Sequence, residues 1–299
     1  MSAGASSLGA VALVCAACLA ACQHAQAAGP APASAIPALA ADPAQLARQR
    51  VEAAALLDRV NAAHLLPATL SADAKAFVDA AEGGGRYGLI VAVRRPDSLR
   101  IDALMPWGDP AATLVAHRGR FFLRDERAHL FLRGRSTPRN LARLLPAPLR
   151  DDELIALLCG AVPELPGASP VRLEDAGDGN QRIVLSTLPS EGLGAVRGFG
   201  QQVTVGRDLR VLDVSRSIAG GGGGGAQQLL WAAKLEDHEQ LGGGMVAGLL
   251  HLHIPKESSG ESKDIEIDLK LKNILAGKPP PAAAFTLVPP AGMRVEELE

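Results

Sequence analysis

The chain has 299 residues and a formal net charge of −2; 47% of its residues are hydrophobic but only 3% are aromatic. That length supports a sizeable core in one large all-β or α+β domain, or in two small ones. With so few aromatic rings, base-stacking platforms are lacking, and nucleic acid is excluded from the expected partners.

At the start, Gly9 to Ala21 is an apolar stretch behind a short polar segment. It is too short to span a bilayer as a helix and reads as a secretory leader. It closes in Leu19-Ala20-Ala21-Cys22, which resembles a bacterial lipobox. The resemblance implies cleavage before Cys22 and acylation of its sulfur and new amino end, giving a lipid anchor in a membrane. Residues 1–21 contain no Lys or Arg, and an ordinary apolar leader cut elsewhere is the alternative. In lipoproteins an Asp after the lipidated Cys retains the protein at the inner membrane. Gln23 therefore points to the outer membrane, facing the periplasm. Residues 22–41, rich in Ala and Pro, read as a tether, and residues 42–299 as a single domain. Cys159 then has no partner and reads as a small buried thiol. No later run approaches the ~20 apolar residues of a transmembrane helix.

Asp42-Pro43 opens a helix, with Asp42 as N-cap and Pro43 at its first position. Leu46, Val51, Leu56, Leu57 and Val60 keep an apolar face to about Ala63, and Pro67 ends it. Strands follow over 70–80, 86–94, 99–104, 111–117, 120–124 and 129–133, with Arg95-Pro96-Asp97-Ser98 as a turn. Leu99, Ile101 and Ala103 share one face, Arg100 and Asp102 the other. A helical interlude covers 137–145 and 151–158, the second helix stopped by Gly160 and Pro163. Strands resume over 171–174, 182–188, 202–205, 211–217, 229–236, 245–254, 265–275, 285–288 and 293–297. The cleanest alternation is Ile265 to Lys272, whose apolar side must lie on a core. Glycines 83–85, 220–225 and 242–244 read as loops.

Charge is unevenly spread. Residues 86–150 hold 13 Arg against five acidic residues, while residues 151–299 hold 13 basic against 21 acidic ones. The Arg-rich segment predicts either a face for anionic headgroups or an acidic partner, or a plainly solvated surface. Catalytic and metal motifs are missing. Gly83 to Gly88 fits G-x-G-x-x-G but precedes a strand, so the dinucleotide reading fails. His251 and His253 share a strand face without further ligands and read as solvent-facing. Asp151-Asp152-Glu153 reads as helix capping. The expectation is no cofactor, no metal and no enzymatic activity.

The order of elements resembles the LolA/LolB-like lipoprotein-localisation fold family. Three stretches carry the resemblance. Phe285-Thr286-Leu287-Val288-Pro289-Pro290-Ala291-Gly292 looks like the family's final strand. Leu154 to Pro163 resembles its helix ending in G-x-P. Met105-Pro106-Trp107-Gly108 is similar to its strand-ending P-L-G, with Trp107 for Leu. The likeness covers residues 43–297. It implies a mostly β, α+β fold: a strongly curved antiparallel half-barrel sheet, with a long N-terminal helix and a short helical insertion closing the concave side.

Such a groove suits an acyl chain, which gains roughly 0.8 kcal/mol per methylene on leaving water. A palmitate-length chain of about 16 carbons needs on the order of 10 kcal/mol of shelter. The bilayer supplies the same, so transfer is near balance. The expected ligand is an acyl chain or an acylated lipoprotein. Alternation gives the candidate groove lining as Leu99, Ile101, Leu229, Trp231, Ile267, Leu269, Leu271, Phe285 and Leu287; the alternative is that these fill a dry core. An exposed apolar loop at the concave rim would mark lipid transfer, and the turn 95–98 carries no such Leu. The rival function is a non-enzymatic envelope scaffold that binds a protein partner through the curved sheet.

Overall fold

A computed structural model describes residues 42–81, 84–187, 198–218, 227–260 and 262–299. The expected leader, Cys22, the expected tether, Gly83 and glycines 220–225 lie outside the described residues. Helix α1 spans Pro43–Ala63 and is capped as its sequence predicts, with the Asp42 carboxylate accepting from the Ala44 backbone N–H at 3.0 Å. Six strands follow: β1 Thr69–Asp79, β2 Gly85–Arg94, β3 Ser98–Leu104, β4 Pro110–His117, β5 Arg120–Asp125 and β6 Leu130–Arg135. Helices α2 Pro138–Leu141 and α3 Asp151–Leu158 interrupt them. The second run is β7 Ala168–Gly177, β8 Asn180–Thr187, β9 Phe199–Val205, β10 Val211–Ile218, β11 Gln228–Leu241 and β12 Gly244–Ile254. Helix α4 Lys256–Ser259, β13 Ile265–Ala276, a 3-10 turn Ala282–Phe285 and β14 Arg294–Glu297 close the chain.

All described strands join one open, strongly curved sheet in the order β14-β6-β5-β4-β3-β2-β1-β13-β12-β11-β10-β9-β8-β7. Every pairing is antiparallel except β14 with β6. The seam between the two runs is β1 against β13, with Ala76 opposite Leu269 and Val78 opposite Ile267. The Ile265–Leu271 alternation thus places its four apolar side chains on the inner, buried face. At the β11–β12 hairpin the two-residue turn Gly242-Gly243 has φ of 59° and 84°, the doubly positive turn that matches strand twist and favours glycine.

The inner face carries the main core, which takes in α1 through Ala53, Leu56 and Val60. Helix α3 is apolar along almost its whole circumference and is correspondingly buried; it touches both β3 and β12. Burial pushes the Cys159 thiol at its end up to about 11, in line with an inert buried thiol. A smaller cluster of Ala92, Val115, Phe131, Phe285 and Leu287 lies on the opposite face.

Two element assignments differ from expectation. The helix expected over 137–145 stops at Leu141 and continues as a turn to Leu145. Pro146 follows, and the residue before a proline disfavours helical backbone. Phe285–Val288 is not a strand but the end of the 3-10 turn and an extended segment. Its neighbours Pro289 and Pro290 have no N–H to offer a ladder.

Candidate functional site

The inward side chains of β1 are Leu70, Ala72, Ala74, Ala76 and Val78. Three consecutive inward alanines leave the seam shallow, and Ala103 does the same on β3. Above them passes the segment after α2. Leu141, Leu144 and Leu145 have helical spacing and pack on the inner core, while Arg143 is exposed and borders the space between cover and sheet. Asn140 pins this segment by donating from Nδ2 to the Arg135 carbonyl at 2.9 Å.

Between cover and sheet lies a cavity of about 310 Å³, walled by Ala76, Val78, Leu89, Ile101, Leu144 and Leu145. Ala103, Ala142, Pro146, Tyr87 and Arg143 complete it. Its volume falls at the low end of the roughly 300–1,000 Å³ usual for ligand pockets. Arg143 is the one charged residue of the lining, and it has no ion pair among the described residues.

The cavity reaches Tyr87 and Ala103, toward the end of the sheet from which the β1–β2 and β3–β4 connections project. There Trp107 stands 71% exposed in the β3–β4 hairpin, with Tyr87 at 41% and Phe77 at 43%. The exposed apolar loop is therefore 105–109. The Arg95–Ser98 turn is at the other end of β3, and Arg95 donates to the His64 carbonyl.

The expected groove residues divide into groups. Ile101 lines the cavity. Leu99 lies deeper, where Leu99, Ile101, Leu114 and Leu141 leave a gap of only about 10 Å³. Trp231, Ile267, Leu269 and Leu271 are buried in the inner core but do not line the cavity. Leu229 is turned from that row by a bulge in β11: Trp231 pairs with Arg216 but Leu229 with Ser217, so Leu230 is the extra residue that packs on the core. Phe285 and Leu287 are on the opposite face of the sheet. The Phe285 ring lies under the Arg94 guanidinium at 4.8 Å and stacks with His117 at 6.3 Å. The lining residues Ala76, Val78, Leu89, Ala103, Leu144 and Leu145 escaped the sequence reading. The signal for them was small residues at period two on β1, not large ones.

The arginine-rich segment is partly tied into the fold. Arg100 makes a two-pronged pair with Asp102 at 2.7 and 2.8 Å and donates to the Ala284 carbonyl at 3.1 Å. Thr113 donates to the same carboxylate at 2.6 Å. With Arg94 over Phe285 and Arg95 turned toward His64, these three arginines do not form a free patch.

A polar group is buried inside the half-barrel. Glu153, which also accepts from the Arg150 backbone N–H at 2.8 Å to cap α3, pairs with Arg216 on β10 at 2.7 Å. Both side chains are 5% exposed. Arg216 also donates to Gln201 and lies 5.5 Å from the Trp231 ring centre, while Gln201 donates to the Pro163 carbonyl at 2.9 Å. Burial pushes the Glu153 carboxyl up and the Arg216 guanidinium down, each opposed by its partner's charge. This network ties α3 to β9 and β10. His251 sits between Asp268 at 2.6 Å and Glu236 at 3.1 Å, and His253 meets Glu266 at 2.5 Å. Among the described residues no cluster of His, Cys, Asp and Glu has metal-holding geometry.

No protein-family model and no curated protein matches the sequence. In fold the chain is similar to a DUF1329 family protein from Desulfovibrio piger ATCC 29098, with a TM-score of 0.56 and 13% identity over 80% of this chain and 97% of that one. A LolA superfamily protein from Nitrosomonas europaea matches with a TM-score of 0.52 and 13% identity, over 79% and 97%. A putative outer membrane lipoprotein-sorting protein domain from Vibrio parahaemolyticus matches with a TM-score of 0.52 and 13% identity, over 80% and 97%. The fold is therefore LolA/LolB-like, as the order of sequence elements implies.

Proposed function

We propose that this chain is a lipid-anchored envelope protein that shelters an acyl chain, of a lipid or of an acylated protein, in its concave cavity. The observation that carries the reading is the apolar cavity between the alanine-lined strands and the 142–146 cover. Its wall offers methyl groups and no buried polar group to be left unpaired by a hydrocarbon. The exposed Trp107 and Tyr87 rings at the same end are of the kind that settles at a membrane interface. On this reading the domain over 42–299 rides on the tether 22–41 from an acylated Cys22, at the outer membrane and facing the periplasm. The protein does no bond chemistry. It holds a chain whose transfer free energy matches that of the bilayer, and so hands it on.

The test uses the full chain carrying Cys22→Ala. This variant is expected to leave the membrane fraction and to co-purify, without detergent, with acyl compounds detectable by mass spectrometry. Retention in the membrane overturns the acyl anchor. Release with no acyl compound, even after incubation with lipid vesicles, overturns the shelter.

A further inference from the structure

We propose that the cavity is specific for a single-chain anionic amphiphile, its one acyl chain inside and its carboxylate or phosphate held by Arg143. The proposal rests on the acyl-shelter reading and deepens it by naming the ligand class.

The chain number follows from volume. An apolar cavity of about 150 Å³ accepts benzene, six carbons. The present cavity of about 310 Å³ therefore takes roughly twelve carbons. That is one chain of moderate length, and two or three side by side do not fit.

The charge follows from the lining. Every wall residue is apolar save Tyr87 and Arg143, and no carboxylate borders the space. Arg143 is exposed at the surface of the cover, one residue before Leu144 turns inward. A head group leaving the cavity between cover and sheet therefore meets a guanidinium. That fork matches a carboxylate or a phosphate with two parallel hydrogen bonds, and it repels an ammonium. The neighbouring segment is fixed through Asn140 and Leu141, so Arg143 is carried on an anchored turn and not on a free loop.

The experiment is isothermal titration calorimetry of the full chain carrying Cys22→Ala. Four twelve-carbon probes are used below their micelle concentrations: laurate, dodecyl phosphate, dodecyl maltoside and dodecyltrimethylammonium. Laurate and dodecyl phosphate are expected to bind at least tenfold more tightly than the other two, and whichever binds more tightly identifies the head group. Arg143→Gln is expected to weaken both anions at least tenfold and to change dodecyl maltoside less than twofold. Arg139→Gln, an exposed arginine outside the lining, should leave all four unchanged. Equal binding of neutral and anionic probes, or anion binding insensitive to Arg143→Gln, overturns the head-group assignment and leaves the shelter standing. Failure of every probe to bind overturns both.

Discussion

Replacing Ala76 by leucine sets an open groove against a filled core. Ala76 lies at the seam, opposite Leu269 on β13 and Tyr87 on β2, and its methyl group borders the cavity. Leucine adds three carbons. If they enter empty, water-accessible space, burial at ~0.8 kcal/mol per carbon adds about 2 kcal/mol of stability. For a domain of this size that raises the melting midpoint by about 4–8 °C. The same carbons displace about a quarter of a roughly twelve-carbon chain. Laurate then loses about 2 kcal/mol of shelter and binds roughly thirtyfold more weakly. Urea denaturation followed by circular dichroism reads the first effect and calorimetry the second. A variant destabilised by more than about 1 kcal/mol with laurate binding unchanged would refute the reasoning. That pattern is overpacking of a full interior, with the ligand bound elsewhere.

Two further expectations concern the buried pair and the rim. Glu153→Gln strands the Arg216 charge inside the half-barrel and should cost about 3–5 kcal/mol, while adding Arg216→Met should recover most of that loss; a double variant as unstable as the single one refutes the pairing argument. Trp107→Ser removes an exposed ring, should change stability by less than about 0.5 kcal/mol, and should slow the uptake of laurate from phospholipid vesicles by the Cys22→Ala chain; an undiminished rate takes the hairpin out of membrane contact.

Much of the fold was legible because binary pattern reports directly on burial. The Asp42-Pro43 cap, the apolar α3 and the Ile265–Leu271 alternation appear where the spacing of residues puts them. The α1 stripe does so only in part: Leu56 and Val60 are buried together with Ala53, but Val51 is 69% exposed. Two kinds of residue were misplaced. Leu229 has the right parity but sits before a one-residue bulge, and a bulge reverses facing without leaving a mark in hydropathy. Phe285 and Leu287 are as apolar as core residues because they are core residues, of the second cluster on the other face. Apolarity shows that a side chain is buried, not which side of a sheet buries it. The cavity was missed for the converse reason. A pocket is made by what its lining lacks, and Ala76 and Ala103 are weak signals next to leucine and isoleucine.

That contrast in side-chain size along one inner face bears on the energetics of an open site. Around β11 to β13 the face is filled by Trp231, Leu235, Leu250 and Ile267. Across β1 to β3 small residues keep the cover off the sheet, though the backbone ladders continue unchanged. An empty apolar cavity costs about 24 cal/mol per Å³. For the volume found here the upper bound is about 7 kcal/mol, since part of the space is open to water. A twelve-carbon chain leaving water gains on the order of 10 kcal/mol. The two figures are close enough that a bound chain offsets the destabilisation caused by its own pocket. The stability of the protein then reports its loading: the acyl-bound form should melt higher than the empty one, and Ala76→Leu should narrow that gap by stabilising only the empty form.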